Sequence, residues 1–212
     1  MNSPKTLILD ESHFIAEGQG RLVFHHPDDK NLVVKIQKKR KVKRFNALRR
    51  MFSRNKRRFL PILFSWVEID EYAAMAARHD KVPKFCVQFR GFANTNKGLG
   101  ALFDAVLTPD GTIAPTLAQL AKTQEYNEDI ITAIDQFWDE AEEFDAVIWD
   151  SHAKNVLVSG SLETEIALVL VDGLGERTLI PLRTMSKSIR KSTNVKSRAA
   201  MKREYMTLSE RK

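Results

Sequence analysis

The sequence predicts an α+β chain in two lobes. A strand-rich N-terminal lobe with one helix occupies residues 1–107, an abbreviated helical lobe occupies 108–190, and a basic tail of a flexible kind follows at 191–212. Three observations lead to this reading. Short β-rich segments bounded by turn residues crowd the first half. A strong helical period runs through 128–144. A hairpin pattern then follows that helix at 155–171. With 212 residues, 43% of them hydrophobic and 12 Phe among them, the chain can bury a core in each lobe.

Taken in order, TLILD (6–10) and RLVFHH (21–26) are β-rich, and EGQG (17–20) lies between them. PDDKN (27–31) is a turn by composition, and LVVKI (32–36) is a short apolar strand. SWVEIDEYAAMAARHD (65–80) reads as a helix, with Ser65 as N-cap and Glu68 at the capping-box position. KFCVQF (84–89) and GALFDAVL (100–107) are expected strands, and TPDG (108–111) is a turn. EDIITAIDQFWDEAEEF (128–144) places Ile131, Ile134, Phe137, Trp138 and Ala141 on one helical face. NVLV (155–158) and IALVLV (166–171) are strands joined by GSLETE. There is no internal repeat.

Charge and cysteine content narrow the functional classes. Of the net +7, residues 38–58 supply +12 and residues 183–212 supply +8, which leaves −13 for the rest. The body is therefore acidic, and the positive charge is concentrated in one internal run and in the tail. The single Cys86 excludes an internal disulfide and fits a reducing, cytoplasmic setting. The N-terminus lacks a basic n-region, and no run approaches the ~18 apolar residues of a membrane span. In the basic run, Phe45, Leu48, Met51, Phe52 and Phe59 recur at spacings compatible with an amphipathic basic helix. Such a helix would suit nucleic-acid phosphates, an anionic membrane or an acidic protein; a solvated charged loop is the alternative.

The chemistry-bearing stretch is WDSHAKNVLV (149–158), followed by VDGLG (171–175). In a hairpin, the start of the first strand and the end of the second lie at the same end. Asp150, Asn155 and Asp172 are thereby expected to converge. Two carboxylates and an amide make a hard-oxygen set suited to Mg²⁺, which completes its shell with water and phosphate. Asp150, if left unliganded, can accept a proton from an attacking hydroxyl. The competing occupation for Asn155 and Asp172 is turn capping beside a hairpin.

The run D-S-H-A-K-N resembles the D-x-x-x-x-N catalytic loop of the protein-kinase-like fold, and DGLG stands where that fold carries D-F-G. His152 matches the D-x-H-x-x-N form of kinases that act on small molecules. More specifically, HHPDDKNLVVKI (25–36) and DGLGERTLIPL (172–182) are similar to the family of the PhoP regulatory network protein YrbL, over roughly residues 14–190. The resemblance implies a two-lobed protein-kinase-like fold with a truncated C-terminal lobe that binds ATP and Mg²⁺. It implies Asp150 as catalytic base, with His152 near the transferred phosphate or simply on the surface. Asn155 and Asp172 would be the metal ligands. Lys35 would bridge the α- and β-phosphates, with Glu71 as its ion-pair partner and Glu68 one turn away on nearly the same face. Gly18 and Gly20 would form a phosphate loop, and residues 103–106 the adenine hinge.

Departures from the kinase pattern limit the reading. Ile148 and Trp149 stand where protein kinases place His-Arg, no A-P-E follows DGLG, and the 40 residues after Asp172 are too few for a peptide-binding lobe. The expected function is that of an ATP- and Mg²⁺-binding phosphotransferase with an unidentified acceptor. The alternatives are an inactive pseudokinase-type regulator, or a nucleic-acid or anionic-surface binder working through residues 38–58.

Overall fold

The computed structural model describes residues 6–18, 20–38, 63–123, 127–160, 166–178 and 180–210. Apart from Lys38, the basic run at 38–58 and its expected amphipathic helix lie outside the described residues. The protein is mixed α+β, and the chain divides into two units: Met1–Ile69 with Phe89–Ala105, and Asp70–Gln88 with Val106–Lys212.

The first unit is built on a five-stranded antiparallel sheet in the order β1-β2-β3-β5-β4. Its strands are β1 (Phe14–Glu17), β2 (Arg21–His25), β3 (Leu32–Gln37), β4 (Phe89–Thr95) and β5 (Gly98–Asp104). Leu7, Leu9, Phe24, Val34 and Ile36 form its buried apolar cluster. Alternation along β3 sends Val34 and Ile36 to one face and Val33 and Lys35 to the other. The register sets Lys35 between Val23 of β2 and Ala101 of β5. Gly100 permits the close approach of β5 to this cluster, since a Cβ there would lie 2.6 Å from Val34 Cγ1.

Two expected strands differ. TLILD yields only a single bridge, Leu7 to Thr95, because Asp10 caps a 3₁₀ turn at Glu11–His13 and postpones the first strand to Phe14. KFCVQF contributes a bridge from Cys86 to Leu170, with Phe85 and Cys86 buried in the core of the second unit. The expected Ser65 cap also differs. Helix α1 (Leu63–His79) begins two residues earlier, so Ser65 lies buried inside it.

The second unit combines the later part of α1 with α2 (Leu117–Thr123), α3 (Glu128–Glu143), the hairpin β6 (Val156–Ser159)–β7 (Ala167–Leu170), α4 (Leu182–Met185) and α5 (Lys187–Ser209). The amphipathic helix forms as expected, capped by Asn127, whose side chain accepts from the Asp129 amide. Ile130, Ile134, Phe137, Trp138 and Ala141 face the core.

The tail is the largest departure from expectation. Instead of fraying, residues 187–209 form a 23-residue helix that buries Met201 and Tyr205 in the main core. Three of its five buried residues, Arg190, Asn194 and Ser209, are polar, which is why counting apolar residues missed it. Arg190 is buried against Asp145 at 3.2 Å, and Asn194 Nδ2 approaches the Ala146 carbonyl at 3.5 Å. Buried polar side chains with partners occupy positions where a sequence search expects Leu or Ile. Among the described residues no helix is long and apolar enough to cross a membrane.

Candidate functional site

The loop at 145–155 is set by the way α3 ends. Asp145 adopts a left-handed backbone (φ 51) just past the helix, the position that usually closes an α-helix and favours Gly or Asn. Burial pushes its carboxyl up, but hydrogen bonds and charge from Arg190 and Lys187 more than offset this and hold it below the usual carboxylate range.

From there the chain runs extended against the turn after β7. Ile148 pairs with Leu174, Gly175 N donates to Val147 O at 2.7 Å, and Trp149 N and Asp150 N both donate to Gly173 O, at 2.7 and 3.2 Å. Three backbone bonds thus clamp Asp150 beside the residue that follows Asp172. The 3₁₀ turn Ala153–Asn155 completes the circuit. Asn155 Nδ2 donates to Asp150 O at 3.3 Å, and Val171 N donates to Asn155 O at 2.9 Å. Asp150, Asn155 and Asp172 therefore sit around one end of the hairpin.

Gly173 makes this approach possible. Its φ of +101 is a conformation that side chains disfavour, and a Cβ there would lie 2.2 Å from Asp150 O. Asp172 itself accepts from Arg177 Nη2 at 3.0 Å. His152 donates its amide to Asp150 Oδ1 at 3.3 Å, and its ring Nδ1 lies 3.3 Å from Glu204 Oε2 on α5.

In the first unit, Lys35 is 5% exposed. Its Nζ stands 4.1 Å from the centre of the Phe103 ring and 3.7 Å from Glu68 Oε2. Glu68 is in turn gripped by Arg21, with Nη1 and Nη2 donating to its two oxygens at 2.5 and 2.8 Å. Parallel double bonding between guanidinium and carboxylate is the strongest ion-pair geometry available to side chains. The carboxylate beside Lys35 is thus Glu68, and Glu68 serves a buried ion cluster instead of a capping box.

Glu71 has a different occupation in the second unit. Its Oε1 accepts from Val147 N at 3.0 Å, which anchors the start of the Asp150 strand. Burial pushes the Glu71 carboxyl up, against the opposing pull of the Val147 amide, Arg78 and Arg190. An acid with a raised folded pKa contributes stability below its ordinary value of 4.5 and loses it as pH rises through the folded value. Urea midpoints measured against pH are therefore expected to fall over that window in the wild type. Glu71→Gln, which keeps an acceptor for Val147, should flatten the fall; an unchanged slope in the variant would count against the assignment.

The glycine turn has its own closure. Gly18 N donates to Arg21 O at 2.9 Å, and Lys38 Nζ donates to Gly18 O at 2.6 Å and also pairs with Glu17. A Cβ at Gly18 would meet nothing closer than 3.8 Å, so neither strain nor space demands glycine there. Gly20 O accepts from Lys38 N at 2.9 Å. The suggested hinge residues lie at the end of β5, where Arg90 pairs with Asp104 through two bonds of 2.6 and 2.8 Å.

Among the described residues no group of three or more His, Cys, Asp or Glu side chains is arranged to hold a metal on its own. The donor set at the hairpin suits a cation shared with phosphate. Asn155 spends its Nδ2 on Asp150 O, which leaves the amide oxygen as the end of that side chain able to ligate a cation. Mg²⁺ is commonly held by one or two carboxylates together with phosphate and water. Sequence reasoning missed three participants. Arg21 and Glu204 act over separations of 47 and 52 residues, and no local pattern marks them. Arg177 lies five residues from Asp172, within reach of a reading of DGLGER.

Residues 7–206 match the family model described as PhoP regulatory network protein YrbL. YrbL of Escherichia coli (strain K12) is 26% identical over 185 residues, covering 84% of this chain and 78% of that protein. YrbL of Shigella flexneri aligns with the same identity and coverage. The match extends past residues 14–190 at both ends and takes in most of α5.

Proposed function

The chain belongs to the family of the PhoP regulatory network protein YrbL, and we propose that it is an ATP- and Mg²⁺-dependent phosphotransferase built on a protein-kinase-like plan. The observation that carries this reading is the clamp between the Asp150 loop and the Asp172–Gly173 turn. It brings Asp150, Asn155 and Asp172, residues that carry two carboxyl groups and an amide, to one hairpin end.

The roles follow from the chemistry of each group. Asp150 is the base: it takes the proton of an acceptor hydroxyl as that oxygen bonds to the γ-phosphorus, while the bridge from the γ-phosphorus to the β-phosphate breaks and ADP leaves. Asn155 and Asp172 are the residues that would hold Mg²⁺, which when bound neutralises phosphate charge. Lys35 supplies a buried cation for the α- and β-phosphates, kept in place by Glu68 and the Phe103 ring. Gly18 and Gly20 supply turn backbone, and His152, on the Asp150 loop, would stand near the transferred phosphate.

One contact favours a second reading. Arg177 already occupies an oxygen of Asp172, which suits a pseudokinase-type regulator whose nucleotide site responds to displacement of that arginine. Calorimetric titration separates the two. In wild type, ATP is expected to bind ~10–100-fold more tightly with Mg²⁺ than with EDTA, and Asp172→Ala should abolish the difference. Radiolabel transfer from ATP in cell extract should be lost in Asp150→Asn. Mg²⁺-dependent binding without any Asp150-dependent transfer would select the regulator, and equal ATP binding by wild type and Asp172→Ala in Mg²⁺ would remove the metal site.

A further inference from the structure

We propose that Glu204, on the C-terminal helix α5, is the positioning residue of the Asp150 loop; its role rests on the phosphotransferase reading, but its contacts can be measured independently. Glu204 Oε2 lies 3.3 Å from His152 Nδ1 and 3.1 Å from Ala153 N. An ionised carboxylate can only accept, so both nitrogens carry their hydrogen toward it. Nδ1 is the ring nitrogen that meets the carboxylate, and Nε2 lies 4.0 Å from Asp150 Oδ1.

The second contact makes the arrangement more than a surface pair. Ala153 is fully buried and opens the 3₁₀ turn that carries Asn155, and a buried amide needs an acceptor. His152 precedes that turn as its N-cap but makes no side-chain capping bond. The cap comes instead from Glu204, 51 residues further along the chain. One oxygen of one side chain therefore holds two consecutive residues of the loop, and the first of them donates its amide to Asp150 Oδ1. Displacing His152 alters both of its approaches to the candidate base.

The helix beneath is a firm platform. Met201, three residues before Glu204 on the same face of α5, and Tyr205, the next residue, are each 1% exposed. The Tyr205 hydroxyl accepts from Asn127 N at 3.1 Å, and Lys202 pairs with Asp135 at 2.6 Å. Glu204 is thus presented by a helix fixed to α3 on both sides of it.

Glu204→Ala and Glu204→Gln in the full-length protein test the proposal. With Mg²⁺-ATP and water as the acceptor, Glu204→Ala is expected to lower kcat about tenfold or more, with KM for ATP held within about twofold. Amide exchange at Ala153 should accelerate about tenfold or more, and the His152 ring nitrogen shifts should move toward a mixture of tautomers. Glu204→Gln keeps one acceptor oxygen of the same reach and should restore part of the protection and of kcat. Unchanged Ala153 exchange and unchanged His152 shifts in Glu204→Ala would overturn the proposal, whatever happens to kcat. Lost protection and altered shifts in a protein whose wild type transfers phosphate neither to water nor to any acceptor in cell extract would support the positioning role and remove the phosphotransferase reading.

Discussion

Gly173→Ala is expected to lower stability by roughly 2–6 kcal/mol, from ~1–3 kcal/mol of backbone strain and ~1–3 kcal/mol of overpacking. The strain arises because φ at this position is +101, and the crowding because the new Cβ would lie 2.2 Å from Asp150 O and 3.0 Å from Asp150 Cβ. The nearest atoms belong to backbone and cannot swing aside as the tip of a long side chain would. Relief has to come from separating the 147–150 segment from the 173–175 turn, which breaks the bonds from Trp149 N and Asp150 N to Gly173 O. In a chain of this size a loss near 4 kcal/mol corresponds to a Tm lower by about 8–16 °C. Thermal denaturation followed by circular dichroism reads the loss, and a Tm within a degree or two of wild type would show that the turn is not clamped in this way. ATP binding should fail in parallel, because Asp172 is displaced with its neighbour.

The second large effect is expected at Glu68. Arg21, Lys35 and Glu68 have side chains only about 5% exposed, and a single carboxylate serves both cations. Removing it in Glu68→Ala leaves two buried positive charges without this counter-charge, a change of about 3–5 kcal/mol. Exposed ion pairs contribute far less, so Lys81→Ala, which loses a pair with Glu143 at the surface, serves as the control at less than about 1 kcal/mol. Glu68→Gln, which keeps two polar atoms but loses the charge, should fall between them. A double variant with Met at both Arg21 and Glu68 tests the cause. If uncompensated burial is what destabilises Glu68→Ala, removing both bonded partners should recover much of the loss. Equal urea midpoints for Glu68→Ala and Lys81→Ala would show that the cluster contributes no more than a surface pair.

What the sequence made legible follows from the range of the interactions involved. The α3 helix could be read because Ile134, Phe137, Trp138 and Ala141 repeat at the spacing of a single element. The hairpin was legible for the same reason, and with it the meeting of Asp150, Asn155 and Asp172, since one end of a hairpin joins its entry and its exit. The Glu68–Arg21 pair was hidden. Both residues stand in segments with good local explanations, a helix start and a strand start, and only the fold brings them together. Helix α5 was hidden for a different reason. Arg190 and Asn194 occupy buried positions that a polar sequence does not advertise, and their partners Asp145 and Ala146 lie in a loop far away in the chain. Gly173 was legible as part of D-G, whereas its steric necessity became visible only once Asp150 lay against it.

The contact between His152 and Glu204 also has a timetable. The histidine is translated 52 residues ahead of the carboxylate that receives it. At ~5–20 residues per second the loop waits several seconds on the ribosome before α5 arrives. Until then the buried amide of Ala153 lacks this acceptor, although the bonds to Gly173 can already hold Asp150. A nascent chain thus carries Asp150, Asn155 and Asp172 before the helix that holds His152 and Ala153 has been made.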